Sequence, residues 1–167
     1  MDPVIVTLRF LHIGGAVAWA GGAFFFLSVL DPMLKKIPPQ DAGLIGRHLA
    51  LRTKMALFFP IGALLTIGAG FALLAMMGEQ IDAYSPSQRT IFHLGTGLGL
   101  LALVPGIMSG VQSGKMRKDA AAYEAKPSPE LGQAMAARGR KLSVLTKVTA
   151  GLMVLALFGM STFRYWV

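Results

Sequence analysis

The fold is decided by the first apolar block, residues 4–30, which reads VIVTLRFLHIGGAVAWAGGAFFFLSVL. A membrane-spanning α-helix needs about 20 consecutive, mostly apolar residues, and this block exceeds that length. Three further blocks of the same kind follow, Met55–Met77, Thr90–Val111 and Leu142–Trp166. None of the four alternates apolar and polar residues as a β-barrel strand does. The sequence therefore predicts an all-α integral membrane protein with four spanning helices.

The composition agrees with a chain that lies mostly within lipid. Of its 167 residues, 54% are hydrophobic and 14% are charged, whereas a soluble domain averages about 25% charged residues. We therefore expect a single transmembrane domain over residues 1–167, with helices at about 4–30, 44–77, 89–112 and 140–166. The absence of cysteine excludes disulfides, thiolate nucleophiles, iron–sulfur clusters and covalent c-type haem attachment.

The net charge of +8 is concentrated in two loops beside the predicted helices, Asp31 to about Lys54 and Gln112 to about Lys141. Since basic loops remain in the cytoplasm, we expect a multi-pass protein of the bacterial inner membrane with both termini in the periplasm. This charge pattern argues against nucleic-acid binding. The first apolar stretch is long for the core of a secretory signal, and no convincing small-x-small cleavage site follows it before Asp31-Pro32, so residues 1–30 are interpreted as the first mature helix.

The second half of the chain echoes the first. The sequence RFLHIG at residues 9–14 resembles RTIFHLG at residues 89–95, and a Thr-Lys pair opens the next apolar run of each half, at residues 53–54 and 146–147. Two hairpins of the same orientation would be related by a pseudo-twofold axis along the membrane normal. The expected architecture is an antiparallel four-helix bundle made of two such hairpins.

The two repeated histidines are the strongest candidates for chemistry. If the halves are equivalent, His12 and His93 face each other at a similar depth in the membrane. Ionisable side chains within a span are costly and usually face the bundle interior. Two imidazoles from facing helices can bind the two axial positions of one haem iron. The sequence therefore predicts b-type haem between the first and third spans.

Neighbouring residues fit this prediction. Gly15 and Gly97 belong to the small residues around the histidines, which leave room for a flat macrocycle. Arg9 and Arg89 lie one turn further out, on the helix faces that carry the histidines. Guanidinium groups in these positions would bind the haem propionates.

Other interpretations of these residues remain open. The histidines could bind another metal, or have a structural or proton-handling role. Three methionines within the spans, Met108, Met153 and Met160, could bind Cu(I), which is a soft ion. Scattered methionines are, however, more often packing material. His48 lies among basic residues and is interpreted as interfacial, and Lys54 and Lys147 are expected to extend from the inner ends of their spans towards head groups.

The stretch LHIGGAVAWAGG at residues 11–22 resembles the first helix of CopD-like and HemJ-like integral membrane proteins. In these proteins a histidine is followed seven positions later by a tryptophan and then by a small, glycine-rich turn. The resemblance implies that His12 is a haem or metal ligand and that Trp19 is a pocket residue. HemJ-like chains continue with a Pro-Arg pair and another histidine, both lacking here, where Asp31-Pro32 comes later.

The resemblance also sets the functional alternatives. HemJ-like proteins bind haem b and act as protoporphyrinogen oxidases, and CopD-like proteins are associated with copper uptake. The residues themselves favour a cytochrome b-like protein in electron transfer, since two axial histidines leave no open position on the iron. The alternatives are an oxidoreductase of haem synthesis, a copper-handling protein, or an accessory subunit of a membrane redox complex. Expected partners are the lipid bilayer, a redox protein or larger complex, and a second copy of the chain.

Overall fold

The computed structural model of the protein describes residues 2–166, with the side chains of residues 40, 55 and 56 excepted. Short connections apart, the described residues are helical, and no β-strand occurs among them. A π-helical segment, Phe26–Leu30, joins the first two helices, and a 3-10 turn, Phe163–Tyr165, follows the last. The helices are α1 Pro3–Phe25, α2 Asp31–Lys36, α3 Pro39–Arg52, α4 Met55–Asp82, α5 Pro86–Leu101, α6 Leu103–Ala125 and α7 Pro129–Thr162.

Four helical segments of the described chain are long and apolar enough to cross a membrane: Pro3–Lys36, Leu57–Asp82, Pro86–Ala125 and Pro129–Tyr165. This confirms the predicted number of spans and identifies a multi-pass membrane protein. Their lengths, 26 to 40 residues, exceed the roughly 20 residues that hydrocarbon requires, so several spans extend beyond the apolar layer.

The first span extends further than predicted, because its helix does not end at Leu30. Pro32 has no N–H, and its ring would collide with the carbonyl four residues earlier in a regular α-helix. A π-helical turn accommodates it, with the N–H of Asp31 donating to the carbonyl of Phe26, and α2 then continues to Lys36.

The second predicted helix, residues 44–77, is two helices in the structure. Thr53 is extended, with φ −115° and ψ 157°, and its hydroxyl donates to the Leu49 carbonyl over 2.6 Å. Helix α3 therefore ends at Arg52. A new helix starts as the N–H of Leu57 donates to the Lys54 carbonyl over 2.9 Å, and α4 continues unbroken through Pro60 to Asp82.

The third and fourth spans are also longer than predicted. A capping box between Ser85 and Gln88 starts α5 at Pro86. The helix is interrupted at Ala102, since Pro105 cannot donate to the Leu101 carbonyl, and it resumes as α6. The fourth span, predicted over residues 140–166, is α7 and begins at residue 129 with Ser128 as its N-cap.

Helix α1 packs closely on α4, and the contacts run in opposite order along the two helices. Gly22 lies against Phe59, whereas Gly15 lies against the carbonyl of Gly62 and the amide of Thr66. A Cβ atom at residue 15 would lie only 2.7 Å from that amide nitrogen. Glycine is therefore required where these two backbones meet.

The second pair of spans repeats this contact. Gly95 of α5 lies against the carbonyl of Ala156 and the amide of Met160 on α7, and a Cβ atom there would lie 3.2 and 3.1 Å from them. Helix α7 also contacts α1 and α6, so it joins the two pairs. Trp19, Ala20, Ala102 and Met153 form a buried cluster at the centre of the molecule.

The two ends of the molecule differ in charge. At one end, called the inner end, α3 and the extended parts of α6 and α7 pack together. Arg138 pairs with Asp119, and the Arg47 guanidinium lies 4.8 Å from the centroid of the Tyr123 ring. At the opposite, outer end, Tyr84 packs edge-on against Phe163, with ring centroids 5.3 Å apart.

Candidate functional site

A cavity of about 600 Å³ occupies the outer half of the bundle, between α1, α4, α5 and α7. We call it the outer cavity. Its lining is mostly apolar, and the polar side chains in it include those of Arg9, His12, Thr66, Thr96 and Arg164. An apolar cavity of this size with a few convergent polar groups is the usual form of a small-molecule or cofactor site.

His12 is the side chain of the outer cavity with the most defined chemistry. Its Nδ1 lies 2.6 Å from the carbonyl oxygen of Thr66. A carbonyl oxygen only accepts hydrogen bonds, so Nδ1 must carry the proton. The lone pair of the neutral ring is then on Nε2, which is the tautomer that a metal-binding histidine needs when a backbone carbonyl orients it.

Gly70 of α4 makes room for this imidazole. A Cβ atom at residue 70 would lie 2.9 Å from Nδ1 and from Cε1 of His12. The hydroxyl of Thr66 donates to the Gly62 carbonyl over 2.7 Å, so the turn of α4 beside the imidazole is fixed by its own hydrogen bond. Helix α4 thus holds the imidazole in one orientation.

The outer end of the cavity is positively charged. Arg9 lies with Nη2 3.5 Å from the sulfur of Met77, and Arg164 lies with its guanidinium carbon 5.8 Å from the centroid of the Phe163 ring. Among the described residues, neither arginine forms an ion pair with a carboxylate. Two guanidinium groups without acidic partners suit an anionic ligand at this end.

Trp19 forms the floor of the outer cavity. Only 4% of its surface is exposed, and Ala102 and Met153 pack against it in the central cluster. The structure therefore brings Arg9, His12 and Trp19, three of the residues predicted to belong to one site, to the same cavity.

The structure does not bring His93 to that cavity. Its side chain is exposed, and its ring lies edge-on to Phe92 with a centroid distance of 5.6 Å. Phe92 lines the outer cavity in its place. The two histidines expected to face each other therefore point in different directions, His12 towards the interior and His93 outwards.

The spacing of two close backbone contacts differs by one residue from the spacing of the two histidines. His12 and His93 are 81 residues apart, whereas Gly15 and Gly95, which each meet the backbone of a neighbouring helix, are 80 apart. Eighty residues after His12 the chain has Phe92 and not His93. One residue turns a helix by about 100°, which is enough to move His93 from the interior to the surface.

The other predicted site residues lie outside the lining of the outer cavity. Gly15 is buried in the α1–α4 contact, and Gly97 is exposed with no atom within 4 Å of a Cβ placed there. Arg89 is half-buried on α5 but does not line the cavity. His48, Lys54 and Lys147, which the sequence analysis placed near the membrane interface, are exposed.

Sequence reasoning missed two residues that define the cavity, Thr66 and Arg164. Thr66 acts through its backbone carbonyl, which no side-chain pattern reveals. Of the three methionines considered as possible Cu(I) ligands, Met153 and Met160 line the cavity and Met108 does not. Arg164 could have been found from the sequence, because it is a charged residue among the aromatic residues at the end of the last span, where the membrane boundary is expected.

No group of three or more His, Cys, Asp or Glu side chains suited to a metal ion occurs among residues 2–166 as far as they are described. A metal in the outer cavity would therefore be bound by His12 together with thioether sulfurs, or by His12 together with non-protein ligands such as a porphyrin. No family model, curated protein or solved structure matches the chain.

Proposed function

We propose that the chain is a membrane b-type haem protein, with the haem in the outer cavity and His12 as an axial ligand. The observation that carries the proposal is the hydrogen bond from His12 Nδ1 to the Thr66 carbonyl. It leaves Nε2 free to bind iron and fixes the direction of that lone pair. When bound, haem supplies one-electron chemistry, and the protein supplies its position and electrostatic surroundings.

The lining of the outer cavity supports this choice of cofactor. Small residues of α1 and α5, Ala16 and Gly99, line the same cavity as the imidazole and would leave room for a macrocycle. Arg9 and Arg164 at the outer end would bind the two propionates by charge-assisted hydrogen bonds. Trp19 would close the inner edge of the site.

Met153 or Met160 would supply a second protein ligand to the haem iron. The sequence predicted His93 for this role, but His93 is exposed and Phe92 occupies its expected place. Met153 and Met160 both line the outer cavity, and His-Met coordination is one of the arrangements that proteins use for haem in electron transfer.

We further propose an antiparallel four-helix bundle with pseudo-twofold symmetry, held with its basic end in the cytoplasm of a bacterial cell. The matching backbone contacts at Gly15 and Gly95 support the symmetry. Most of the charged residues lie at the inner end, and basic segments remain in the cytoplasm. The resemblance of residues 11–22 to CopD-like and HemJ-like proteins agrees with a haem- or metal-binding membrane bundle.

A Cu(I) site is the second candidate, because one observation favours it. His12 shares the outer cavity with Met77, Met153 and Met160, and thioether sulfur prefers Cu(I). The position of Arg9 argues against it, since its guanidinium lies 3.5 Å from the Met77 sulfur and would repel a cation bound there. The same charge favours an anionic cofactor.

The experiment is a reduced-minus-oxidised visible spectrum of detergent-purified protein, compared among the wild type, His12→Ala and His93→Ala. We expect sharp α and β bands in the wild type and in His93→Ala, and their loss in His12→Ala. Replacing Met153 and Met160 by leucine in turn should identify the thioether ligand by loss of the low-spin bands. Unchanged bands in His12→Ala would contradict the proposal.

Two other outcomes would contradict part or all of the proposed haem coordination. Loss of the bands in His93→Ala as well would favour coordination by both histidines. A colourless wild-type protein, even after haem is supplied during expression, would exclude haem, and copper analysis would then test the second candidate.

A further inference from the structure

A second cavity of about 630 Å³ lies below Trp19, towards the inner end. We call it the inner cavity. It is formed by α1, α4, α6 and α7 and is closed at the inner end by Leu49 and Ala50 of α3. Trp19 and Ile67 line both cavities, so the two lie on opposite sides of one layer of side chains.

The lining of the inner cavity suits a neutral, largely apolar molecule. None of the described residues that line it is charged, and none is a histidine. A charged ligand would therefore be desolvated there without a partner, which is strongly unfavourable. The lining also offers no imidazole to bind a second haem.

Hydroxyl groups provide the polar part of this lining. Those of Ser109, Thr146 and Thr149 donate to carbonyls of their own helices over 2.8 to 2.9 Å. The Ser113 hydroxyl forms no hydrogen bond among the described residues. Ser113 can thus donate to a carbonyl oxygen of a ligand, which the hydrocarbon tail of a lipid lacks.

The inner cavity opens sideways towards the lipid. Leu64 of α4 and Ile107 of α6 line it and are 73% and 66% exposed. Gly110, one turn beyond Ile107, is exposed and has open space at its Cβ position. A molecule dissolved in the bilayer can therefore enter between α4 and α6.

We propose that the inner cavity binds an isoprenoid quinone from the bilayer, with a quinone carbonyl accepting a hydrogen bond from Ser113. The preference for a quinone over another neutral lipid rests in part on the proposed function, because a redox-active molecule would lie one side-chain layer from the haem. The site itself is built from different residues and can be tested separately.

The test is equilibrium binding of radiolabelled decylubiquinone to the purified protein in nanodiscs, with empty nanodiscs subtracted. We expect saturable binding to the wild type and at least tenfold weaker binding to Gly110→Phe, whose side chain would fill the cavity. Gly114→Phe is the matched control: it lies one turn away, also has open space at Cβ and does not line the cavity. Its binding should equal that of the wild type.

Two further variants separate the two proposals. Ser113→Ala should weaken binding about three- to tenfold, the value of one neutral hydrogen bond. His12→Ala should lose haem but keep quinone binding, so a failure of either proposal is seen without the other. Non-saturable binding, or equal binding to Gly110→Phe and Gly114→Phe, would overturn the inference.

Discussion

At the scale of single residues, His12 and His93 show how neighbouring backbone determines the role of an imidazole. His12 lies against α4, where the Thr66 carbonyl fixes its tautomer. His93 has the same kind of sequence around it but projects from the exposed face of α5. A polar ring on the lipid-facing side is tolerated because it lies only four residues beyond Arg89, close to the interface.

Gly70 provides a test of the position of His12 that leaves the histidine in place. In Gly70→Ala the new methyl carbon would lie 2.9 Å from two atoms of the imidazole. The ring is the mobile end of a side chain, so it should move while the helices stay packed. We expect a fold of normal stability with at least tenfold weaker haem retention, measured from the absorbance of haem against protein.

The control for this variant is Gly68→Ala. A Cβ atom at residue 68 would meet no atom within 4 Å, so haem retention should match the wild type. Equal retention in both variants would show that the contact between Gly70 and His12 does not orient the ligand.

At the scale of helices, glycine determines how closely two spans approach. Gly15 meets the α4 backbone directly, and helix packing in membranes depends on such close contacts because lipid is as apolar as the side chains it would replace. The same contact between Gly95 and α7 holds the other pair of spans. The two pairs of spans therefore share a close backbone contact at a glycine.

Gly15→Ala should therefore destabilise the protein. The added methyl carbon would lie 2.7 Å from the backbone nitrogen of Thr66 and 2.8 Å from the carbonyl oxygen of Gly62. Both atoms are backbone and cannot move without separating the helices. We expect a loss of about 1–3 kcal/mol in the free energy of unfolding, the usual cost of overpacking, measured by circular dichroism during denaturation in mixed micelles.

Gly14→Ala is the matched control for that change. Residue 14 is exposed, with no atom within 4 Å of a Cβ placed there, and alanine has a higher helix propensity than glycine. Its stability should equal or slightly exceed that of the wild type. A similar loss in both variants would mean that Gly15 is not a special contact.

At the scale of the whole molecule, the charged residues are unevenly distributed and the space between the helices forms two cavities. The basic segments gather at the inner end, around α3 and the extensions of α6 and α7. The two cavities then lie one above the other along the bundle, on either side of Trp19. A ligand in the outer cavity lies near the termini, and one in the inner cavity lies near the basic end.

The orientation can be measured because the chain has no cysteine of its own. Ser87→Cys places a thiol at the outer end, at the start of α5, and Lys126→Cys places one at the inner end, between α6 and α7. A membrane-impermeant maleimide added to intact spheroplasts should label residue 87 and not residue 126. The reverse pattern would show that the basic end faces outward.

The sequence by itself determined the number of helices long and apolar enough to cross a membrane, because each of them contains a run of about 20 mostly apolar residues. The approximate positions of the spans follow from the same blocks. The ends of the helices did not, since Ser85, Ser128 and the π-helical turn at Pro32 act through local hydrogen bonds. The apolar blocks mark only the part of each helix within lipid.

The tertiary structure alone decided which face of each span points inward. Helices α1 and α4 are apolar on all sides, so no stripe of hydrophobic residues marks the interior face. That rotation is fixed where Gly15 meets α4 and Gly95 meets α7. It places His12 in the outer cavity and His93 outside it, because one residue on a helix is a rotation of about 100°, and a count of residues along the chain does not reveal which side is packed.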